Sequence, residues 1–101
     1  MSLNIDLIKH GTQGELVLKG RLDSNTSEEA GKIFERMAER FDDLIIDLKD
    51  VTYISSAGLR VFLRTFVTLN NKNGTMKLKN VDKAVMEVFE ITGFAGLYTF
   101  I

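Results

Sequence analysis

The chain has 101 residues, 45% of them hydrophobic, and its 13 basic and 14 acidic side chains give a formal net charge of -1. Its length suits one domain with a core of its own, and its hydrophobic fraction is too high for a disordered segment. The near balance of charge gives no general attraction to nucleic acid. The lack of cysteine excludes disulfides, thiol catalysis and thiolate metal sites.

Two features of the sequence concern location. Residues 1–6 lack the basic and apolar regions of a signal peptide. No apolar run approaches the roughly 18 residues that a membrane span needs. We therefore expect a cytoplasmic protein that neither inserts into a membrane nor binds nucleic acid.

Two strands open the predicted fold. Residues 4–9 and 15–22 alternate between apolar and polar side chains, which is typical of β-strands. Residues 10–14 between them include two glycines and predict a hairpin loop.

A helix is predicted over residues 26–41. Thr26 and Glu29 have the spacing of a capping box at its start. Apolar side chains recur at steps of three and four, which indicates a helix with one face on the core. This stripe consists of Ala30, Ile33, Phe34, Met37, Ala38 and Phe41.

The next predicted strand, residues 44–48, begins with three consecutive apolar side chains. A strand of this kind is typical of the inside of a sheet with helices packed on it, so we expect both of its faces to be covered. Lys49 and Asp50 then form a polar hinge.

A second helix is predicted to begin at Ser55 or Ser56 and to end within residues 70–74. One of the two serines is expected to be the N-cap, because a serine oxygen accepts a hydrogen bond from a free backbone N–H. The predicted buried stripe of this helix consists of Leu59, Phe62, Leu63, Phe66 and Val67.

The remaining pattern predicts a strand at residues 75–79, a helix at 81–91 that Gly93 terminates, and a last strand at 97–101. Strands that alternate with helices build sheets with parallel pairs, and the opening hairpin adds an antiparallel pair. The predicted fold is α/β, a mixed β-sheet with helices packed on it.

Neither a metal centre nor a catalytic site is indicated. A metal centre needs several ligands at suitable spacing, and the chain has one histidine, His10, in a predicted exposed loop. We expect no cofactor, no metal and no enzyme activity. A hydrolase with Ser56 as nucleophile is a weaker alternative, because it would need His10 as its base.

The Ser55-Ser56 corner has a structural and a functional interpretation. The structural one is the N-cap. The functional one is phosphorylation, because a helix N-terminus offers free N–H groups and a partial positive charge to a phosphate. Such a phosphate adds roughly -1.5 to -2 charges and would act on a partner docked at the corner. Ala57 and Gly58 are small and would let a partner's backbone approach.

Two segments resemble a known family. The segment VTYISSAGLRV at residues 51–61 resembles the signature of anti-sigma factor antagonists, the founding members of the STAS domain family. The segment LKGRLDSNT at residues 18–26 resembles the family's other well-marked stretch. Both segments keep the family spacing, and the predicted order of elements matches the family fold. The resemblance implies a single STAS domain over residues 1–101.

The resemblance also implies a switch. In the family, the partner is an anti-sigma factor that is also a serine kinase with a histidine-kinase-like ATPase fold. The unphosphorylated antagonist binds this kinase and so frees the sigma factor. Phosphorylation of a serine at the start of the second helix ends this binding, and a PP2C-type phosphatase resets it. The acceptor aligns with Ser56, and Ser55 stands where many members have aspartate.

The implied partner-binding surface combines the loop after the second strand with the corner. It comprises Asp23, Ser24, Asn25, Ser55, Ser56, Ala57, Gly58 and Arg60. The alternative is a STAS-type binding module without phosphorylation, such as a subunit of a lipid-transport ATPase complex. Many relatives continue into another helix beyond the position of Ile101.

Overall fold

Five strands form one mixed sheet in the computed structural model, which describes residues 3–101. They are β1 (Leu3–His10), β2 (Gln13–Leu22), β3 (Asp43–Ile54), β4 (Thr75–Lys79) and β5 (Thr99–Phe100), and they lie side by side in sequence order. β1 and β2 pair antiparallel, and all other neighbours pair parallel. The predicted mixed sheet is confirmed. The signal-peptide prediction includes residues 1 and 2, which lie outside the described residues.

Three α-helices connect the parallel strands: α1 (Ser27–Arg40), α2 (Ser56–Asn71) and α3 (Lys83–Thr92). Parallel crossovers are right-handed, and these strands follow one another in order, so the three helices lie on the same face of the sheet. Gly93 ends α3 in the left-handed conformation, at φ 82°, as predicted. None of the helices within residues 3–101 is both long and apolar enough to cross a bilayer.

The core lies between the helices and one face of the sheet. The inward side chains of β2 and β3 are fully buried, and an aromatic row crosses the helix layer above them. The rings of Phe34, Phe62 and Phe89 meet edge to face, with centroid distances of 5.4 and 5.7 Å. This row joins one phenylalanine from each α-helix.

The second face of β3 carries no helix, so the prediction that both faces of this strand are covered was wrong. Leu44 and Ile46 are fully buried under the helices, whereas Ile45 between them is only partly buried on the open face. Ile45 lies opposite Glu15 in β2 and Lys77 in β4. Side chains of neighbouring strands therefore give Ile45 the partial cover that a helix layer was expected to provide.

The predicted hinge at Lys49 and Asp50 lies within a strand, because β3 continues to Ile54. The register between β2 and β3 slips twice in this second half. Each slip inserts an extra residue into β3, as in a β-bulge, and so shifts the alternation of buried and exposed side chains along the strand. Leu48, Val51 and Ile54 are consequently all buried at a spacing of three.

α2 packs against α1 as well as against the sheet. Val61 and Thr65 are therefore buried, and the methyl group of Val61 lies within contact distance of the Gly31 position in α1. The predicted stripe is correct for Leu59 and Phe62, but Val67 is 47% exposed.

Candidate functional site

The corner between β3 and α2 gives the two adjacent serines different roles. Ser55 is the N-cap, with an extended backbone, and its side-chain oxygen accepts a hydrogen bond from the Gly58 N–H at 3.2 Å. Ser56 is the first residue of α2 and is exposed. The cap therefore occupies the Ser55 hydroxyl and leaves Ser56 facing solvent.

Hydrogen bonds and packing fix this corner to the end of β2. The Ser55 N–H donates to the carbonyl oxygen of Leu22 at 2.8 Å. Gly58 is buried, and a Cβ at this position would lie 3.0 Å from that same carbonyl oxygen and from the Leu22 side chain. Gly58 thus allows the first turn of α2 to pack on β2. The other seven residues of the predicted surface are at least partly accessible.

The loop that follows β2 is organised around the carboxylate of Asp23. Its Oδ1 accepts hydrogen bonds from the N–H groups of Asn25 and Thr26, at 2.9 and 3.0 Å. The Thr26 N–H is the largest cause that lowers the pKa of Asp23 below its ordinary value, and the charge of Arg21 adds to it. Asp23 is therefore ionised at neutral pH, and Ser24 and Asn25 lie exposed at the tip of the turn.

Thr26 closes this loop and does not form the predicted capping box with Glu29. It stands at the N-cap position of α1 without a side-chain cap hydrogen bond. Its hydroxyl instead donates to the Arg21 carbonyl at 2.8 Å and accepts from the Asp23 N–H at 3.0 Å. The capping-box prediction was wrong because the threonine side chain binds the strand that precedes it.

The loop and the corner lie next to each other at the carboxyl ends of two neighbouring parallel strands. Leu22 at the end of β2 is opposite Ile54 at the end of β3. Asp23, Ser24 and Asn25 follow the first strand, and Ser55 and Ser56 follow the second. Arg60 is exposed one turn further along α2, on the same side of the helix as Ser56. The structure thus brings together the two segments that the resemblance singled out.

Sequence reasoning missed two residues beside this surface, Arg21 and Tyr53. They are opposite each other in the β2–β3 register, and the Arg21 guanidinium carbon lies 4.4 Å from the centre of the Tyr53 ring. Tyr53 is 42% exposed, and Arg21 Nε lies 4.0 Å from Asp23 Oδ2. Tyrosine and arginine are enriched at protein interfaces. Both residues stand within the two family motifs, but only the register shows that they stack.

His10 lies at the opposite end of the sheet from the corner. It ends β1 and pairs with Gln13, the first residue of β2, whereas the corner bonds to the last residue, Leu22. The 10 residues of β2 span about 30 Å. His10 is exposed as predicted, although it belongs to a strand and not to a loop. It cannot serve as a base for Ser56, so the histidine-based hydrolase alternative lacks its geometry.

His10 instead contacts a carboxylate on the open face. Its Nε2 lies 3.3 Å from Glu15 Oε1, and Lys79 Nζ lies 3.5 Å from the other oxygen of Glu15. Within residues 3–101, no group of three or more histidine, aspartate or glutamate side chains is arranged to hold a metal ion.

Comparisons with known proteins give one consistent result. The family model described as STAS domain matches residues 4–100. The chain is 32% identical over 97 residues to the anti-sigma-B factor antagonist of Bacillus subtilis (strain 168), a match that covers 96% of this chain and 89% of that protein.

Solved structures share the fold. An anti-sigma factor antagonist from Mycobacterium paratuberculosis superposes with a TM-score of 0.86 at 19% identity, over 97% of this chain and 84% of that chain. The Bacillus cell fate determinant SpoIIAA in its phosphorylated form superposes with a TM-score of 0.77 at 17% identity, over 97% of this chain and 91% of that chain. At these identities the two structures establish similarity of fold.

Proposed function

Because this chain belongs to the STAS domain family, we propose that it is an anti-sigma factor antagonist whose partner binding is switched off by phosphorylation of Ser56. The partner is an anti-sigma factor that is also a serine kinase with a histidine-kinase-like ATPase fold. A PP2C-type phosphatase removes the phosphate. The protein itself catalyses no reaction, and it works in the cytoplasm, where sigma factors act.

The observation that carries this proposal is the position of Ser56. It is the exposed first residue of α2, and the neighbouring Ser55 already provides the cap. A phosphate on Ser56 would meet the free N–H groups and the positive end of the helix dipole in the first turn. The fold can therefore carry the modification without rearrangement.

The phosphorylation step transfers the γ-phosphoryl group of ATP, bound to the kinase, to the Ser56 oxygen. ADP leaves, and the hydroxyl proton passes to a base of the kinase. In the reverse direction, water hydrolyses the phosphate ester in the phosphatase. One of the fold neighbours, SpoIIAA, has been solved in a phosphorylated form, which supports a phosphate switch on this fold.

The switch works by charge at the partner surface. Phosphorylation adds roughly -1.5 to -2 charges at the centre of the surface formed by the Asp23 loop and the corner. Like charges brought together at an interface cost several kcal/mol, and each ~1.4 kcal/mol changes the affinity tenfold. A single phosphate is therefore sufficient to release the partner.

The first test compares Ser56→Ala with Ser55→Ala after incubation with the cognate kinase and ATP, read by intact mass spectrometry. We expect Ser55→Ala to gain one phosphate as the wild type does and Ser56→Ala to gain none. Modification of Ser56→Ala with loss of modification in Ser55→Ala would assign the site to Ser55 instead.

The second test measures kinase binding by calorimetry. Ser56→Ala should bind as the unmodified wild type does, and Ser56→Asp should bind at least about tenfold more weakly. If Ser56→Asp binds as tightly as the wild type, the charge mechanism is wrong. A stable complex insensitive to both substitutions and never phosphorylated would favour the alternative, a STAS-type binding module such as a lipid-transport ATPase subunit.

A further inference from the structure

We propose that two copies of this chain pair through the free edge of β1, antiparallel and around a two-fold axis at Ile8. This proposal does not depend on the Ser56 switch, because the edge of β1 carries none of the residues assigned to it. The occupant of the edge is a second copy of the same chain.

The first observation is that β1 is a long edge strand without a bulge or a proline. It pairs with β2 along its full length of 8 residues and without a register slip. No strand within residues 3–101 pairs with its other side, and natural edges usually shield such a side with prolines, bulges, charged side chains or very short strands. The chain contains no proline, and the opposite edge of the sheet, β5, has only 2 residues. β5 is therefore protected by its shortness, whereas β1 has only the charged side chains of Asp6 and Lys9.

The second observation is exposed apolar area on this strand. Leu7 is 56% exposed on the helix side of the sheet, and Ile8 is 40% exposed on the open face. A long, regular edge strand with exposed apolar side chains favours pairing with another strand.

The pairing of polar side chains selects the register. In a symmetric antiparallel pair, opposed residues share a face and one residue lies opposite its own copy. With Ile8 at the centre, Asp6 of each copy lies opposite His10 of the other, on the open face. With Asp6 at the centre, two carboxylates would face each other. With Leu7 at the centre, Asp6 would lie opposite Ile8 and would have no hydrogen-bond donor opposite its carboxylate.

The side chains next to the two-fold axis at Ile8 also favour this register. The His10 side chain is 53% exposed while it contacts Glu15, so its ring is open to a second carboxylate from the other copy. On the helix side, Lys9 of one copy would lie opposite Leu7 of the other. The aliphatic stem of the lysine can cover the leucine while its ammonium group remains in water.

The absence of cysteine makes the register directly measurable. In the proposed dimer, Ile8→Cys places two thiols opposite each other with Cα atoms about 5 Å apart, inside the range of roughly 4.4–6.8 Å that a disulfide allows. Asp6→Cys is the matched control, because it lies on the same face but its two copies are offset by four residues, about 13 Å along the strands. Leu7→Cys is offset by two residues, about 7 Å along the strands, and tests the neighbouring register.

We expect the wild type to show a concentration-dependent monomer–dimer equilibrium in sedimentation velocity. Under mild oxidation, Ile8→Cys should form a linked dimer at least about tenfold faster than Asp6→Cys or Leu7→Cys. Asp6→Lys should weaken the dimer, because it sets a lysine against His10, and Ser56→Ala should dimerise as the wild type does. Circular dichroism verifies that each variant is folded.

Three results would overturn the proposal. The first is a wild type that stays monomeric at every concentration together with equal, slow cross-linking of the three cysteine variants. The second is faster cross-linking of Leu7→Cys than of Ile8→Cys, because it places the two-fold axis at another residue. The third is an unchanged dimer in Asp6→Lys, because it would show that the Asp6–His10 pairing does not select the register.

Discussion

The separation of roles between Ser55 and Ser56 depends on backbone geometry at a single residue. Both serines suit an N-cap by residue type, so the sequence predicted the pair without deciding which one caps. The structure decides it, because Ser55 has the extended backbone at φ -87° and ψ 173° and Ser56 is already helical. For the same reason the sequence could not predict that Arg21 stacks on Tyr53, because this contact depends on a register slip between two strands.

Replacing Ser55 by alanine should lower the free energy of unfolding by about 1 kcal/mol, because the Gly58 N–H loses its hydrogen-bond acceptor. Urea denaturation measures this change. Ser24→Ala is the matched control, since Ser24 is exposed at a turn, and its effect should be close to zero. Equal stability of Ser55→Ala and the wild type would mean that the cap hydrogen bond contributes nothing.

Replacing Tyr53 by alanine should weaken binding to the proposed kinase partner about tenfold or more. The substitution removes an exposed aromatic ring, and with it the group on which Arg21 stacks beside the Asp23 loop. Calorimetry or surface plasmon resonance with the unphosphorylated protein measures it. Tyr53→Phe, which keeps the ring, should bind nearly as well. Ile91→Ala controls for the loss of any exposed apolar side chain, because Ile91 is 84% exposed on α3. Wild-type affinity of Tyr53→Ala would exclude the ring from the interface.

At the level of elements, the sequence predicted every α-helix and strand in the correct order, and the errors are in where they begin and end. The polar pair Lys49 and Asp50 suggested a hinge, yet the strand continues because the two slips let the buried side chains recur every third residue. Periodicity of two cannot reveal such a strand. The continuation of β3 beyond Asp50 matters for the site, because it brings the end of β3 beside Leu22. Ser55 therefore lies next to the end of β2.

The connection from α2 to β4 offers a test of backbone packing. A Cβ at Gly74 would lie 2.0 Å from the carbonyl oxygen of Asp42, which also accepts the Thr75 N–H. Gly74→Ala should therefore force this connection apart and lower the free energy of unfolding by about 1–3 kcal/mol. Gly96→Ala is the control, because no atom lies within 4 Å of its Cβ position. Thermal or urea denaturation of the two variants side by side gives the answer, and equal stabilities would contradict the close approach.

For the whole molecule, the predicted strands and helices, taken in order, were sufficient to predict the mixed sheet. What they did not provide is the open second face. Ile45 and Val17 are apolar residues on that face and are only partly buried, so a short apolar run cannot distinguish helix cover from shielding by neighbouring strands. The position of His10, far from Ser56 and beside Glu15, likewise required the hairpin register.

Tyr98, the residue before β5, should contribute to the pH dependence of the free energy of unfolding. Its ring packs edge to face on Phe66 and Phe89, its hydroxyl is enclosed, and no residue within 3–101 supplies that hydroxyl with a hydrogen-bond partner. Burial raises the pKa of Tyr98 to about 12, against about 10 for an unfolded tyrosine. Between these two values the unfolded chain loses a proton that the folded chain keeps.

The free energy of unfolding should therefore fall as the pH rises from about 10 to about 12, and Tyr98 should account for a decrease on the order of 2 kcal/mol. Below this pH range Tyr98 should contribute no pH dependence. Tyr98→Phe should remove this component, and at pH 7 it should be as stable as the wild type or slightly more stable, because it deletes an unpaired hydroxyl. Urea denaturation across the alkaline range measures both effects. Tyr53→Phe is the matched control for loss of a tyrosine hydroxyl, because Tyr53 is 42% exposed. If Tyr98→Phe keeps the wild-type slope, burial of Tyr98 is not the cause of the alkaline loss of stability.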